Sequence, residues 1–416
     1  MNSEKRNDSY YNAVAGVGKR TADKTTHTTI GTAEILDDIL LSEIEISEGL
    51  ASQIVSVIPE DGMRNGYTLV NDDAGKLKAE LDRMGFDSAI LQAWKYSRLY
   101  RGGIAVLITQ NSTLDQPLPK SNPGLMKIKA YSAARIDVMD SDIIIDSTNP
   151  YFEDVEIFRI RTRRGDLLNV HRDRCMVFKG ELVPDYNTAN IDLTYQYWGL
   201  SALQKSWNKI KNLGTAEQGV ANAMMEFSVG KYTLANLSQI LSMNNKEAVD
   251  KLITRLEAMN LSKSIMNAVL LGKDESYERD NINFAGIPDV MDRMMMSVCS
   301  GTGIPVTKLF GRSAAGLNAT GDNDIRQYYD NVRAEQMSRI KPEADRLINY
   351  IGRMLNGGKG EYSIEDFNSL WEPTEKEYAE TAKIKSDTYK TYMEWGVLTP
   401  DEVRALEFPD QQQAGL

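Results

Sequence analysis

The sequence predicts a mixed α+β fold made of more than one folding unit. Segments with apolar residues at helical spacing alternate with short β-branched runs bounded by Gly, Pro, Asn and Asp. The 416 residues are long enough for several units at roughly 150 residues each. With 42% hydrophobic and 26% charged residues, the composition is that of an ordinary globular chain.

The first part of the chain is predicted to be an α/β block after a polar arm. Residues 1–30 mix Ser, Thr, Asn and Lys without a period, which indicates a flexible arm that orders on contact with a neighbour. The elements that follow are a helix over Ile35–Val57 that ends before Pro59, a turn over Arg64–Gly66, helices over about 74–84 and 87–101, and a strand over Ile104–Ile108.

A small β-rich insertion is expected next, because turn residues separate short apolar runs between about 122 and 195. The predicted strands are Met126–Ala130, Val155–Arg161, Leu167–Val170 and Cys175–Phe178. A capping box formed by Ser201 and Gln204 then predicts the start of a long helix that reaches Phe227.

The second half predicts another α/β stretch, a loop, a long helix and a helical tail. The stretch contains helices over about 246–259 and 287–299 and strand-like runs near 266–271 and 281–284. The long helix covers Gly321–Leu355, and Pro342 predicts a kink near residues 338–342. A capping box at Thr374 with Glu377 begins a tail that runs to Gly396 and restarts at Thr399–Glu402 with Pro400 at the first helical position. We expect this tail to be all helical.

Several function classes are disfavoured by composition. We expect no secretion and no membrane insertion, because residues 1–29 are polar and the apolar runs are far shorter than the roughly 18 residues of a membrane span. Cys175 and Cys299 lack the spacing of a zinc site, and we expect neither a metal nor another cofactor. A formal charge of -11 disfavours tight sequence-independent DNA binding but suits a channel wall along which DNA slides.

Several segments, in this order along residues 35–408, resemble the portal proteins of tailed bacteriophages. The blocks that carry the resemblance are Met63–Tyr67, Tyr100–Gly103, Tyr197–Ser201, Gly303–Gly311 and Gly396–Arg404. Gly311–Asp322 is the most distinctive segment and is similar to a portal subgroup formerly catalogued as a phage family of unknown function.

The resemblance implies a portal-type fold with an α/β wing, a β-rich clip, stem helices, a long kinked helix and a small helical crown. The corresponding ranges are an arm over 1–30, the first part of the wing over 31–121, the clip over 122–198, a stem helix over 199–227, the second part of the wing over 228–300, a tunnel-like loop over 301–321, the kinked helix over 322–356 and the crown and tail over 357–416.

The resemblance also implies a structural role in the virion. Portal subunits form a ring of about twelve copies at one capsid vertex. The ring passes double-stranded DNA without sequence specificity during packaging and ejection, docks the large terminase and then the head-tail adaptor, and contacts the major capsid protein or scaffold. We therefore expect a chain made in the bacterial cytoplasm that becomes part of the virion.

Two sets of residues are candidate sites. The first is a mobile loop that would line the DNA channel, since its glycines and small side chains permit many backbone states. It consists of Gly311, Arg312, Ser313, Ala314, Ala315, Gly316, Leu317, Asn318, Ala319, Thr320, Gly321 and Asp322. The second is an arginine surface on the predicted clip, formed by Arg159, Arg161, Arg163 and Arg164.

The arginine surface has two interpretations. Arg159, Arg161 and Arg163 alternate along a strand and therefore share one face. They either form a solvated edge that prevents aggregation, or dock the packaging motor or the tail adaptor, or contact phosphates transiently. Nearby aspartates, namely Asp137, Asp140, Asp142 and Asp146, lack the spacing of a calcium loop and are expected to be solvated.

No residue is predicted to be catalytic. Gly311 and Gly316 have the glycine spacing of a P-loop, but Leu317 and Asn318 replace its lysine and hydroxyl residue. His27 lies in a His-x-Thr element like that of two-histidine phosphodiesterases, and His171 does not provide the second element. A phage nucleotide phosphodiesterase that antagonises host signalling therefore stays open as the alternative function.

Overall fold

The structure is a computed structural model of the chain, and it describes most of the sequence. The described residues are 35–72, 74–121, 123–184, 193–226, 230–233, 276–279, 285–311, 321–371 and 375–407, with short pieces between 250 and 257. The predicted N-terminal arm, most of the predicted helix over 246–259, the strand-like runs near 266–271 and 281–284, and residues 312–320 lie outside these ranges.

Helices and strands alternate along the chain, as the fold-class prediction requires. The helices are α1 (Asp38–Ser47), α2 (Gly49–Arg64), α3 (Lys76–Met84), α4 (Phe86–Leu99), α5 (Leu193–Trp198), α6 (Trp207–Glu226), α7 (Ile287–Thr302), α8 (Val306–Leu309), α9 (Asp322–Glu335), α10 (Lys341–Leu355), α11 (Glu375–Glu394) and α12 (Pro400–Glu407). The strands are β1 (Tyr67–Leu69), β2 (Gly102–Thr109), β3 (Leu125–Ser132), β4 (Ile136–Asp137), β5 (Ile157–Arg161), β6 (Leu167–His171), β7 (Cys175–Lys179), β8 (Gly230–Thr233), β9 (Ser276–Arg279) and β10 (Ile364–Phe367).

The chain divides into two units, Met1–Val55 with Leu200–Ala319 and Ser56–Gly199 with Thr320–Leu416. In the first unit, α6 packs on α7, and Lys209 Nζ donates to Ser300 Oγ at 2.9 Å. Strands β8 and β9 form an antiparallel pair in the same unit.

The second unit is organised around two antiparallel sheets. One sheet has the strand order β3-β2-β7 and the other has the order β4-β5-β6. Since β2 belongs to the predicted wing and β3 and β7 to the predicted clip, the first sheet crosses the predicted boundary at residues 121 and 122. A shared apolar core joins Ile104 and Val106 of β2 to Phe158 of β5 and to Trp198. The predicted domain ranges themselves stay predictions.

Gly102 and Gly103 are required at their positions by close packing. A Cβ atom on Gly102 would lie 2.0 Å from Trp198 Cε3, and one on Gly103 would lie 2.2 Å from the carbonyl oxygen of Ala93. The packing of Gly102 on Trp198 brings together two of the segments that carry the family resemblance, Tyr100–Gly103 and Tyr197–Ser201. Nearby, the guanidinium of Arg101 lies 4.2 Å from the centre of the Tyr195 ring. The glycines thus allow the first residues of β2 to lie directly against α4 and Trp198.

Most predicted elements are present, with three corrections to their limits. The first predicted helix is two helices, and α2 continues through Pro59 to Arg64, because Ile58 before the proline and Asp61 after it are both buried. The predicted capping box at Ser201 does not start a helix. Ser201 Oγ accepts from Leu203 N at 3.2 Å within a turn, Gln204 Oε1 accepts from Leu36 N at 3.0 Å, and α6 begins only at Trp207.

The third correction concerns the tail. Strand β10 lies in the range predicted as a helical crown and pairs with β1, with Tyr67 opposite Phe367. Farther on, α12 begins at Pro400 as predicted, and a capping box is present there: Glu402 Oε2 accepts from Thr399 N at 2.8 Å and Glu402 N donates to Thr399 Oγ1 at 3.4 Å. The described tail after residue 374 consists of α11 and α12, joined by a turn over residues 395–399.

The long kinked helix is confirmed, and its irregularity has a defined form. Between α9 and α10, residues Gln336–Ile340 form a π-helical turn directly before Pro342. A π-turn widens the helix by one residue, so it accommodates the missing N–H and the bulk of the proline ring. Gln336 is buried there and its Nε2 donates to the carbonyl oxygen of Gly62 at 2.5 Å.

We predict that Gly103→Ala lowers the melting temperature by roughly 2–10 °C, because a methyl group against a backbone oxygen forces a shift that costs about 1–3 kcal/mol. Differential scanning fluorimetry at a fixed subunit concentration measures the change. Gly214→Ala is the matched control, since Gly214 lies in α6 with open space around its Cβ position and should leave the melting temperature unchanged or slightly raise it. Equal melting temperatures for both variants would contradict the packing argument.

Candidate functional site

The predicted arginine surface is partly paired within its own sheet. Arg159 Nη2 lies 2.7 Å from Asp142 Oδ1, and Arg161 Nε lies 2.9 Å from Asp137 Oδ2. The two sequence-predicted clusters, basic and acidic, therefore meet along β5. Arg163 and Arg164 are exposed in the turn that joins β5 to β6. The docking role of the four arginines stays a prediction, with Arg163 and Arg164 the more accessible pair.

The predicted channel loop is described only at its two ends. Gly311 and Gly321 both have left-handed backbone angles, with φ values of 64° and 57°. Residues 312–320 lie outside the described ranges. Helix α9 begins at Asp322, so the predicted start of the long helix directly after the loop is confirmed. Its role as a channel lining stays a prediction.

The histidine candidates do not form a site in the described part of the chain. His27 lies outside the described residues. His171 ends β6, and its Nδ1 accepts from Asp173 N at 3.2 Å as the cap of a short turn. Among the residues that the structure describes, no group of three His, Cys, Asp or Glu side chains could hold a metal ion, and no helix is long and apolar enough to span a membrane.

The most elaborate polar site is one that sequence reasoning missed. It lies where the first turn of α10 meets the short 3-10 turn Arg172–Arg174 between β6 and β7. Arg172 is only 4% exposed, although arginine is rarely buried without a partner. The sequence did contain a signal for this site, namely three charged residues, Arg172-Asp173-Arg174, between two apolar strands. Charged side chains in so short a connection must either face solvent or form ion pairs and hydrogen bonds.

Arg172 bridges two carboxylates from distant parts of the chain. Its Nη2 lies 2.7 Å from Glu343 Oε1 on α10, and its Nε lies 2.8 Å from Asp154 Oδ2 before β5. Glu343 also accepts from Val177 N at 3.2 Å, so the helix carboxylate bonds the backbone of β7 directly. Arg346, one turn farther along α10, donates to the carbonyl oxygen of Asp173 at 2.6 Å and to that of Cys175.

The protonation states of this network are set by burial and by the opposite charges. Burial alone would lower the pKa of Arg172, but Glu343 and Asp154 raise it above its ordinary value. Burial would raise the pKa of Asp154, but Arg172, Lys179 and the hydroxyl of Tyr197 hold it below its ordinary value. The ion pairs therefore persist across the neutral range.

Arg174 performs a similar role for the neighbouring loop. It is 0% exposed, and burial lowers its pKa. Its guanidinium donates to Thr109 Oγ1 at 2.8 Å and to the carbonyl oxygen of Gln116 at 2.6 Å. The loop after β2 is thus closed over a buried cation whose donors are used by the protein itself.

The chemistry of this site is structural. Each charged group is held by an opposite charge or by backbone, and burial raises the pKa of the adjacent Cys175 thiol to about 12, so the thiol is protonated at neutral pH. This network attaches α10 to the sheet through β7. Within the network, the Cys175 thiol is not activated as a nucleophile.

A family comparison then decides the identity of the fold. The sequence profile described as "Phage portal protein" matches residues 44–391, which span all of the elements above except the first few residues of α1, the end of α11 and α12. The chain belongs to the phage portal protein family. The resemblance expected from the sequence segments is therefore confirmed.

Individual relatives of this portal protein are distant and longer. It is 28% identical over 363 residues to a Caulobacter sp. (strain RHG1) protein named Anti-CBASS protein Acb1, covering 83% of this chain and 57% of that protein. It is 27% identical over 408 residues to a Sphingomonas paeninsulae protein of the same name, covering 95% of this chain and 63% of that protein. The portal chain therefore spans less than two thirds of the length of these two relatives.

Solved structures support the portal fold. A chain in the neck of an empty gene transfer agent particle, solved with C6 symmetry, matches with a TM-score of 0.53 at 13% identity, covering 92% of this chain and 96% of that one. A chain in the neck of the native particle, solved with C12 symmetry, also matches with a TM-score of 0.53, at 12% identity, covering 90% and 95%. At such identities the likeness concerns the fold.

We predict that Asp154 makes the stability of the portal subunit pH-dependent. Its folded-state pKa is lowered, so its ion pair stabilises the folded state above the unfolded pKa of about 3.9 and this contribution is lost as the pH falls through the lower folded value. Urea unfolding should therefore give a lower free energy of unfolding for Asp154→Asn at pH 7, and a difference from wild type that shrinks below about pH 4. Asp387→Asn on the exposed face of α11 should differ little from wild type at either pH. A pH-independent deficit for Asp154→Asn would contradict the assignment.

Proposed function

We propose that this chain is the subunit of a portal ring, a homo-oligomer of about twelve copies at one capsid vertex through which double-stranded DNA is packaged and ejected. The observation that carries the proposal is the family match over residues 44–391. The fold agreement with neck chains of gene transfer agent particles supports it, since those chains belong to assemblies solved with C6 and C12 symmetry.

The charge of the chain supports a conduit over a DNA-gripping protein. The formal charge is -11, with 48 Lys and Arg against 59 Asp and Glu. Tight non-specific DNA binding depends on many cationic contacts to phosphate, whereas a channel must let DNA slide. We propose Gly311–Asp322 as the segment nearest the DNA, on the basis of its sequence and of the left-handed glycines at its ends.

The proposed partners follow from the portal role. They are the large terminase during packaging, the head-tail adaptor afterwards, and the capsid protein or scaffold around the ring. Arg163 and Arg164 are the best candidates for docking the first two, because they are exposed beside a sheet whose other arginines have intramolecular partners.

A second candidate function is antagonism of host nucleotide signalling by a phosphodiesterase. Two relatives carry the name Anti-CBASS protein, and the His27 element matches one half of a two-histidine site. We favour a non-enzymatic chain, because the portal chain spans only 57% and 63% of those relatives, which leaves more than a third of each outside the match. Any activity behind the name can lie in that remaining part.

Mass photometry and negative-stain imaging of the purified chain test the main proposal. We expect closed rings with a mass on the order of half a megadalton, about twelve times the 46.6 kDa chain. A head-to-tail interface gives a closed ring when the rotation from one subunit to the next adds up to a full turn. Monomers or open filaments at micromolar concentration would contradict the ring. A monomer that hydrolyses cyclic nucleotides, and loses this activity in His27→Ala, would favour the alternative.

A further inference from the structure

The helices α11 and α12 present an apolar surface that remains largely exposed in the described part of the subunit. Among the residues of both helices whose side chains the structure describes, none is buried. Contact with the rest of the second unit includes an ion pair of 2.5 Å between Arg326 and Glu377 near the start of α11. In proteins most of the stability of a helix comes from the packing of its apolar face, so the exposed apolar face of α11 favours a partner.

One face of α11 is an apolar groove. Tyr378, Ala382, Lys385, Tyr389 and Tyr392 follow one another at spacings of four and three residues, the pattern of a helix seam that packs against another helix. Together with Met393, also of α11, and Val403 of α12, part of this face lines a groove of about 410 Å³. The small side chain of Ala382 lies between the larger tyrosines, which leaves a hollow for an incoming side chain.

A different face of α11 is an apolar ridge. Ile384, Thr388, Thr391 and Trp395 recur at the spacing i, i+4, i+7 and i+11, which places them along one stripe. Ile384 is 66% exposed and Trp395 is 73% exposed. At 100° per residue this stripe lies roughly 110° around the helix from the groove.

The charges between the two faces permit copies of the helix to approach. Lys376, Lys383 and Lys390 alternate with Glu380, Asp387 and Glu394, so the stripe has no net charge although the whole chain is acidic. Within it, Lys376 and Glu380 lie 3.8 Å apart. Copies of α11 can therefore meet without the repulsion that the overall charge of -11 would otherwise cause.

We propose that the groove formed by Tyr378, Ala382, Tyr389 and Val403 receives the Ile384–Trp395 ridge of a second copy of this chain. A contact between two unlike faces is heterologous, and repetition of such a contact around an axis gives a closed ring without using up either face. A symmetric groove-to-groove pairing would instead leave the ridge exposed. This inference rests on the proposed ring and assigns α11 and α12 to its subunit interface.

Site-specific photocross-linking tests the contact in assembled protein. p-Benzoylphenylalanine replaces Tyr389 in one preparation and Asp387 on the charged stripe in the control, and each is mixed with isotopically labelled unmodified subunits before assembly. We expect irradiation at position 389 to give at least tenfold more inter-subunit adduct than at position 387. The labelled peptide should contain Ile384 or Trp395.

The remaining outcomes separate this contact from the portal proposal. Rings that form normally but give adducts only within one chain, including adducts to residues 408–416, would overturn the docking assignment and leave the ring intact. Inter-subunit adducts elsewhere on the neighbour would overturn it in the same way. Protein that forms no ring would overturn both. As a second measurement, Trp395→Ser should weaken ring assembly at least tenfold in subunit concentration, whereas Glu394→Ser should change it by less than threefold.

Discussion

The ion pair between Arg172 and Glu343 is the contact on which the arrangement of the second unit depends. It joins the connection between β6 and β7 to a helix more than 160 residues later in the chain, and the two groups lie 2.7 Å apart. Glu343 lies in the first turn of α10, directly after the π-turn and Pro342. Removal of one partner would leave a buried charge, and such changes typically destabilise a protein by about 3–5 kcal/mol.

This attachment has a mechanical consequence for the proposed portal role. Helix α9 follows directly after the Gly-rich segment that we propose to lie nearest the DNA, and α10 is held to β7 by Glu343 and Arg346. A force applied at the start of α9 would therefore be resisted at the far side of the π-turn. The turn itself is held by Gln336, which is buried and bonds the backbone of α2.

Local signals in the sequence predicted much of this fold, and long-range contacts explain what they did not predict. Pro342 indicated the irregularity in the long helix and Pro400 indicated the start of α12, because each effect arises within a few residues. The continuation of α2 through Pro59 could not be predicted, because the burial of Ile58 depends on distant parts of the chain. The turn at Ser201 could not be predicted either, because it depends on the hydrogen bond that Leu36 N donates to Gln204. The arginine surface was found from spacing, but its pairing with Asp137 and Asp142 depends on strand register, and the partners of Arg172 lie in segments that no local pattern connects.

A double-mutant cycle on Arg172 and Glu343 tests the central claim most directly. Free energies of unfolding would be measured by urea titration at one subunit concentration for wild type, Arg172→Gln, Glu343→Gln and the double variant. If the pair holds the kinked helix to the sheet, the coupling free energy is at least about 1.5 kcal/mol and the double variant is less destabilised than the sum of the single variants. A coupling below about 0.5 kcal/mol would mean that the two residues contribute independently, and would contradict the account.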